Sequence, residues 1–363
     1  MKTVNERLLD ELIGHEVDLA HLSNAQVVEI IKILNSQDPE LRSSLIEEID
    51  GLGQDLSEAS VALALAGVLG INRAVFARVR QTLTQSTDDL IRYELSFVHS
   101  ALQAVLPALV QDQFPIKAAD FAQVQTAART MPFHGRLISE WLAGVEAGRA
   151  ASIRDAVRSG IVDGKPAAEI VRTIMGTRAE GYADGVLQKS RRDVESVVRS
   201  AVSSAAAVAS DKSFEANTIL ISHVEWVSIL DSRTTVMCRI RDRLPYTLGT
   251  YKPIGHKIPW LAGPGRLHFC CRSSKVPVLK SAKSLGFRDD ATRASMDGQA
   301  PDFTTYDEWL SKQSAARQDE ILGLERGRLM REGGLKLSAF YNDKGKMLTL
   351  SKLRERLNDA GRG

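Results

Sequence analysis

Cysteine is almost missing from this chain. The 363 residues hold three, Cys238, Cys270 and Cys271. Three thiols, two of them adjacent, cannot build a disulfide framework, so a reducing compartment is expected. Aromatic residues are also few, at 6%, while Ala, Leu and Val are frequent, a balance that favours helices over a large sheet. Long apolar runs are lacking as well. The longest stretch without Lys, Arg, Asp or Glu is 95–111, and Ser96, His99, Ser100, Gln103 and Pro107 interrupt it. It falls short of the ~20 mainly apolar residues of a membrane helix. Residues 1–18 carry too much charge for the apolar part of a signal peptide. These features predict a soluble protein, cytoplasmic where it is made, with no membrane partner.

What is present is an ordinary globular balance of 44% hydrophobic and 25% charged residues, on a chain long enough for two or three domains. The net charge of +2 conceals an asymmetry. The first 120 residues hold 9 Lys and Arg against 18 Asp and Glu, and the remainder holds 38 against 27. An acidic amino end on a basic body suits two different neighbours, one of them protein and the other nucleic acid, or simply serves solubility.

The amino-terminal region, 1–132, reads as successive helices. Ser23 to Gln26 fits a capping box opening a helix over 27–34. Asp38 and Pro39 fit an N-cap with proline behind it, and Gly51 and Gly53 stop that helix. Ser86 to Asp89 offers another start. Region 133–217 stays helical: Gly160 and Gly164 flank a turn, Gly176 ends a helix, and a long helix spans 179–216. The period then changes. Residues 219–221, 224–230 and 270–278 are short, apolar and rich in branched side chains, and they predict strands in a small β module over 218–280. Between them runs a long loop rich in Pro and Gly. The tail, 281–363, predicts helices again: a capping box at Thr305 and Glu308, a break at Gly323, a stop at Gly333 and Gly334, a turn at 343–345 and a last helix from Thr349. The predicted fold is thus mostly α with a small β module (α+β): a multi-helical amino end, a long helix packed on a short sheet, and a helical carboxyl tail.

Residues 226–273 concentrate the unusual chemistry, with all three cysteines and two of the seven histidines, His256 and His268. Cys238, His268 and Cys271 could supply thiolate and imidazole to Zn²⁺, with Cys270 or His256 as a fourth ligand. Adjacent cysteines on a strand would face opposite ways, and free cysteines are commonly small buried hydrophobes. The reading from the residues therefore leaves zinc open and takes no cofactor as the simpler expectation. Asp231, Ser232, Arg233 and Thr234 predict a capped turn with an ion pair after a strand. Arg239, Arg241, Arg243, Lys252, Lys257 and Arg266, interleaved with Tyr246, Tyr251 and Trp260, have the look of a surface that touches phosphates and stacks on bases, or of a protein-binding loop with solvated charge. His15 and His21 are not spaced for a zinc protease helix, which needs histidines at i and i+4, and are predicted to lie on a solvated helix face. The sequence carries no P-loop and no Ser/His/Asp constellation.

Trp226, Asp231, Arg233, Thr234, Cys238, His268, Cys271 and Arg272 together resemble the signature of the phage Mu F-like head morphogenesis (minor head) proteins. That signature is similar to Trp-x-x-x-x-Asp-x-Arg-Thr-Cys-x-x-Cys followed by His-Pro-x-Cys-Arg-Cys. Thr235 and Ser273 stand here where it carries cysteine, and Phe269 where it carries proline. The helical lead-in at Val198 to Val202 and the tail residues Tyr306, Trp309, Leu310, Leu322, Gly323 and Arg326 also resemble the family. The resemblance covers roughly 150–357. It implies a non-enzymatic, low-copy virion protein. Such a protein associates with the portal or the major capsid protein at the inner capsid, is multimeric in the particle, meets packaged double-stranded DNA, and passes through the host cytoplasm before assembly. The competing classes are a metal-dependent enzyme or toxin-like domain using Cys238, His268 and Cys271, and a scaffold or DNA-binding module outside the virion.

Overall fold

Helix accounts for 65% of the chain, and a computed structural model describes residues 4–52, 57–106, 108–280, 292–296, 298–301, 304–342 and 345–353. The architecture is mostly α with a small β module, as expected. Two long helices replace several shorter predicted ones. Helix α1 spans Val4–Asn35, α2 Asp38–Gly51 and α3 Glu58–Val105. Neither Ser23 nor Ser86 opens a helix. Within α1 the Asn24 side chain accepts from Arg199 Nη1 at 2.7 Å instead of capping the backbone. Within α3, Thr87 Oγ1 donates back to the Leu83 carbonyl at 2.9 Å, and Asp88 pairs with Arg129 at 2.6 Å. Polar residues bound in these ways sit inside a helix without ending it.

Short helices α4 (Ala108–Gln113) and α5 (Phe121–Thr130) lead to α6 (Ile138–Val162), α7 (Ala167–Met175) and α8 (Leu187–Ala216). Gly160, predicted at a turn, lies inside α6, and α8 begins eight residues later than predicted. The reason is the compact turn over 177–186, held by Asp184 Oδ1, which accepts from the Thr177 amide at 2.8 Å. A side chain on Gly185 would lie 2.4 Å from the Met175 carbonyl carbon, so only glycine fits there.

The β module follows. Strand β1 (Ile221–Val227) is central in an antiparallel sheet of order β2-β1-β3, with β2 at Pro245–Thr247 and β3 at Ser274–Leu279. The two predicted runs 219–221 and 224–230 are therefore one strand, with an irregularity between Ile221 and His223. Short helix α9 (Val236–Arg239) lies between β1 and β2. A two-stranded ribbon, β4 (Thr292–Ser295) with β5 (Gly298–Pro301), and the unforeseen β2 complete the strands among the described residues. The tail forms α10 (Tyr306–Ser311), α11 (Ala315–Leu322), α12 (Leu324–Gly333) and a 3-10 turn at Leu337–Phe340. Thr305 caps α10 with Glu308 reciprocally, and Gly323 and Gly334 adopt φ 81° and 61° at the predicted breaks. Residues 350–353 are helical after Thr349. The predicted turn at 343–345 lies partly outside the described residues.

The chain divides into two compact units. The first comprises 1–20, 93–124 and 206–363, and the second 21–92 and 125–205. The regions 218–280 and 281–363 fall wholly in the first unit, while 1–132 and 133–217 contribute to both. The second unit is helical, with two largely aliphatic cores. One gathers Ile30, Leu34, Phe76, Val79, Leu142 and Val198, the other Leu41, Leu45, Leu65, Val68, Ile153, Val157, Ile170 and Ile174. Among the described residues α3 is the one helix long and apolar enough to cross a membrane, a property that charge-free runs alone had passed over. Its Leu65, Val68, Phe76 and Val79 are buried in these cores.

The core of the first unit gathers Trp226 of β1, Tyr246 of β2, Trp260, Cys238, Cys271 and Phe214 near the end of α8. The long helix thus packs on the short sheet. Lys275 of β3 reinforces the contact by donating to the Ala207 carbonyl and Ser210 Oγ at 2.9 and 3.0 Å. A separate cluster joins Leu230 to Tyr306, Trp309, Leu310, Leu322 and Phe340 of the tail.

Candidate functional site

The site is built where β1 ends. Leu230 makes an isolated bridge with Ser295, and the chain then turns at Asp231. The Asp231 carboxylate accepts from the Thr234 amide and from Thr234 Oγ1, both at 3.0 Å. It also receives both Arg272 amino groups at 2.8 Å, a two-pronged pair of the geometrically specific kind. Arg233 adds a longer contact of 3.4 Å from a mostly exposed side chain. Burial works against ionisation of Asp231, but Arg272, Thr234 and Arg233 outweigh it and hold the carboxyl below its ordinary range. The predicted capped turn with an ion pair is present, and Arg272 is its main partner.

The turn delivers α9, whose Cys238 points inward. Residues 263–273 return from the other side. Cys271 does not lie on a strand as predicted: Cys270 has φ 55°, and the Cys271 amide donates to the His268 carbonyl. A left-handed residue at this point turns the chain before β3 can start. Consequently the face-alternation argument about adjacent cysteines does not apply. Cys238 Sγ lies 3.8 Å from Cys271 Sγ and 3.2 Å from His268 Nε2. All three candidate ligand atoms lie within 4.8 Å of one another. Thr235 Oγ1 stands 2.9 Å from His268 Nε2, and His268 Nδ1 donates to the Phe269 carbonyl at 2.9 Å. Ser228 Oγ donates to the Cys238 carbonyl at 3.1 Å and touches Ser273 Oγ at 3.3 Å. None of the three cysteines is in a disulfide.

The neighbouring sulfur and burial push the Cys238 thiol up. Cys271 is held well below the ordinary thiol range by its hydrogen bond from Cys238, against burial and with the help of His268. Burial lowers the His268 imidazole, but its contacts with Cys271 and the Phe269 carbonyl raise it on balance. Cys238, His268 and Cys271 are the side chains positioned to hold a soft metal ion. His256, a candidate fourth ligand, is instead engaged with the Pro245 carbonyl at 2.9 Å and the Ile258 amide at 3.2 Å.

The predicted nucleic-acid face is largely dismantled. Arg241 is fully buried, donating to the carbonyls of Pro259 and Met237 at 2.9 and 2.6 Å. Arg239 is buried too. It bonds the Ile321 and Ser232 carbonyls and lies over the Tyr306 ring at 5.3 Å. Arg243 pairs with Glu225 at 3.0 Å, and Arg266 lies 3.8 Å from Asp211. Tyr246 and Trp260 fill the core, while Tyr251 stacks on Trp260 with ring centres 4.6 Å apart. Guanidinium groups and rings alternate here because Arg239 and Arg241 tie backbone carbonyls together beside the aromatic core, while Arg243 and Arg266 pair with carboxylates. Of the six predicted phosphate contacts, Lys252 and Lys257 stay exposed. The 244–266 loop is therefore as much core as contact surface.

Sequence reasoning also missed polar side chains that are buried. His15 is not on a solvated face: it is buried, bonds Glu94 at 2.7 Å and stacks on Phe97 at 3.8 Å. Its place on the face of Leu8 and Leu12 was the available signal. Asp211 of α8 collects Lys275 at 2.9 Å, Arg266 and the Tyr251 hydroxyl. No local pattern marks it, because its partners lie 40 or more residues away. Comparison with models of protein families, with curated proteins and with solved structures finds no match for this chain.

Proposed function

We propose that this chain is a bacteriophage minor head protein, a low-copy structural component that helps assemble the head or deliver the genome. One observation carries the reading. The residues through which the sequence resembles that family meet in one place and bind one another. Trp226 is buried on β1, Asp231 grips Arg272 and Thr234, and Cys238 meets His268 and Cys271. A signature used this way is a fastening for the β module. The nearby carboxylates serve the same end: Asp242 accepts from the Ser228 amide at 2.9 Å while Asp231 is taken by Arg272.

In this reading the chain waits in the host cytoplasm and then joins the portal or major capsid protein at the inner capsid. Lys252 and Lys257 are the residues of the predicted phosphate-binding set that still face solvent and could meet packaged DNA. The test is mass spectrometry of purified particles and precursor heads from a culture producing the chain. Peptides of this protein are expected in both at low copy. Their absence from both sinks the proposal and favours a role outside the virion.

The Cys, His, Cys cluster favours a second reading, a metal-dependent enzyme. Catalytic turnover by the purified protein that is lost on chelation and restored by the metal would replace the structural reading with that one.

A further inference from the structure

We propose that Cys238, His268 and Cys271 bind a zinc ion that clamps the 231–239 turn to the 263–273 return of the β module. This holds whether or not the chain is a virion component.

Three observations carry it. The first is spacing. Tetrahedral zinc holds sulfur at about 2.3 Å and imidazole nitrogen at about 2.0–2.1 Å, which sets ligand atoms roughly 3.5–3.8 Å apart. The sulfurs here are 3.8 Å apart, and Cys238 Sγ is 3.2 Å from His268 Nε2. Those two sides match the tetrahedral spacing to a few tenths of an ångström, and the third, Cys271 Sγ to His268 Nε2, lies within 4.8 Å.

The second is orientation. A carbonyl can only accept, so His268 Nδ1 carries the proton that bonds Phe269. That bond fixes the ring with Nε2 3.2 Å from Cys238 Sγ. Metal-bound histidines are commonly fixed by such a bond from the other ring nitrogen. Cysteines serving only as small buried hydrophobes need no ring nitrogen directed at them.

The third is the origin of the ligands. Cys238 lies 30 residues from His268 and 33 from Cys271, and both cysteines are buried. The contact joins two segments that the three-stranded sheet does not itself pair. Two sulfurs and one imidazole form a soft donor set that selects zinc over magnesium or calcium. Thr235 Oγ1 lies 2.9 Å from Nε2, and Ser273, two residues after Cys271, places its hydroxyl 3.3 Å from Ser228 Oγ. They offer hydrogen-bond partners to a water completing the coordination.

The experiment uses the full chain, purified with a thiol reductant and without chelator. Inductively coupled plasma mass spectrometry is expected to find stoichiometric zinc that survives dialysis. Cys238→Ser and Cys271→Ser are expected to lose it, and Cys270→Ser to keep it. Protein stripped of metal and titrated with Co²⁺ should give the strong visible bands of a tetrahedral site with thiolate charge transfer. The cobalt measurement on the unaltered chain decides the matter even if a cysteine variant does not fold. Trace zinc in the unaltered protein together with a weak octahedral cobalt spectrum overturns the proposal. So does zinc that Cys238→Ser and Cys271→Ser both retain.

Discussion

The helical unit and the β module solve the same problem in opposite ways. In the helical unit the cores are largely aliphatic, and residues far apart in sequence, such as Leu41, Leu65, Ile153 and Ile170, meet through apolar packing alone. In the β module the core is aromatic, ionic and sulfur-rich, and its contacts join distant residues. Asp231 and Arg272 are 41 apart in sequence, and the Asp231 carbonyl receives the Tyr306 hydroxyl from 75 residues away. A short sheet buries little apolar area, and directed polar contacts make up the specificity that bulk packing supplies elsewhere. Single changes should therefore act differently in the two places.

The largest effect is expected at Trp226. Its ring is fully buried against Trp260, with centres 5.2 Å apart, so Trp226→Ala should cost about 3–5 kcal/mol in chemical denaturation. A loss below ~1 kcal/mol would show that this core does not hold the module. Next comes the ion pair. Asp231→Asn leaves Arg272 without its carboxylate, and a loss of about 2 kcal/mol at neutral pH is expected for a partly buried pair. The sign with pH follows from the depressed folded-state value of Asp231. The stabilisation is full where the unfolded carboxyl is ionised, above about pH 5, and is lost as the pH falls through the folded-state value. The stability gap between the two proteins should close on acidification, and a constant gap would assign the loss to something other than this charge.

The helical unit is sharpened by Gly160→Ala. A methyl group there would lie 2.4 Å from Ile170 Cγ1, so a loss of about 1–3 kcal/mol from overpacking is expected. A gain in stability would show that α6 and α7 separate more readily than a close-packed core allows. The smallest effect is expected at Lys252→Ala with Lys257→Ala, which should stay within about 0.5 kcal/mol for exposed side chains. If the chain meets DNA, the same pair should weaken its binding in a filter or gel-shift assay and flatten its salt dependence.

This contrast also explains what could be read in advance. Pro39, Gly176, Thr305 and Gly323 mark element ends because backbone geometry at those residues is a local matter. The continuity of α1 and α3 was hidden because Asn24 and Asp88 carry capping chemistry until distant arginines occupy them. The grouping of Cys238, His268 and Cys271 was legible from residue type. Its turn geometry was not, since nothing in the sequence announces a left-handed cysteine at 270. Arg241 and Trp260 were misplaced for a simpler reason: a basic and aromatic alternation has the same composition on a surface and around a buried arginine.

The attachment of the carboxyl tail has a practical consequence. Leu230 is buried among tail residues, and Arg239 sits over Tyr306 while bonding the Ile321 carbonyl. A fragment excised at 218–280 would strip an aliphatic side chain and a guanidinium of their cover at one stroke. The motif-bearing stretch is not an autonomous domain to be expressed alone, and a stop codon upstream of Tyr306 should be felt first at Asp231.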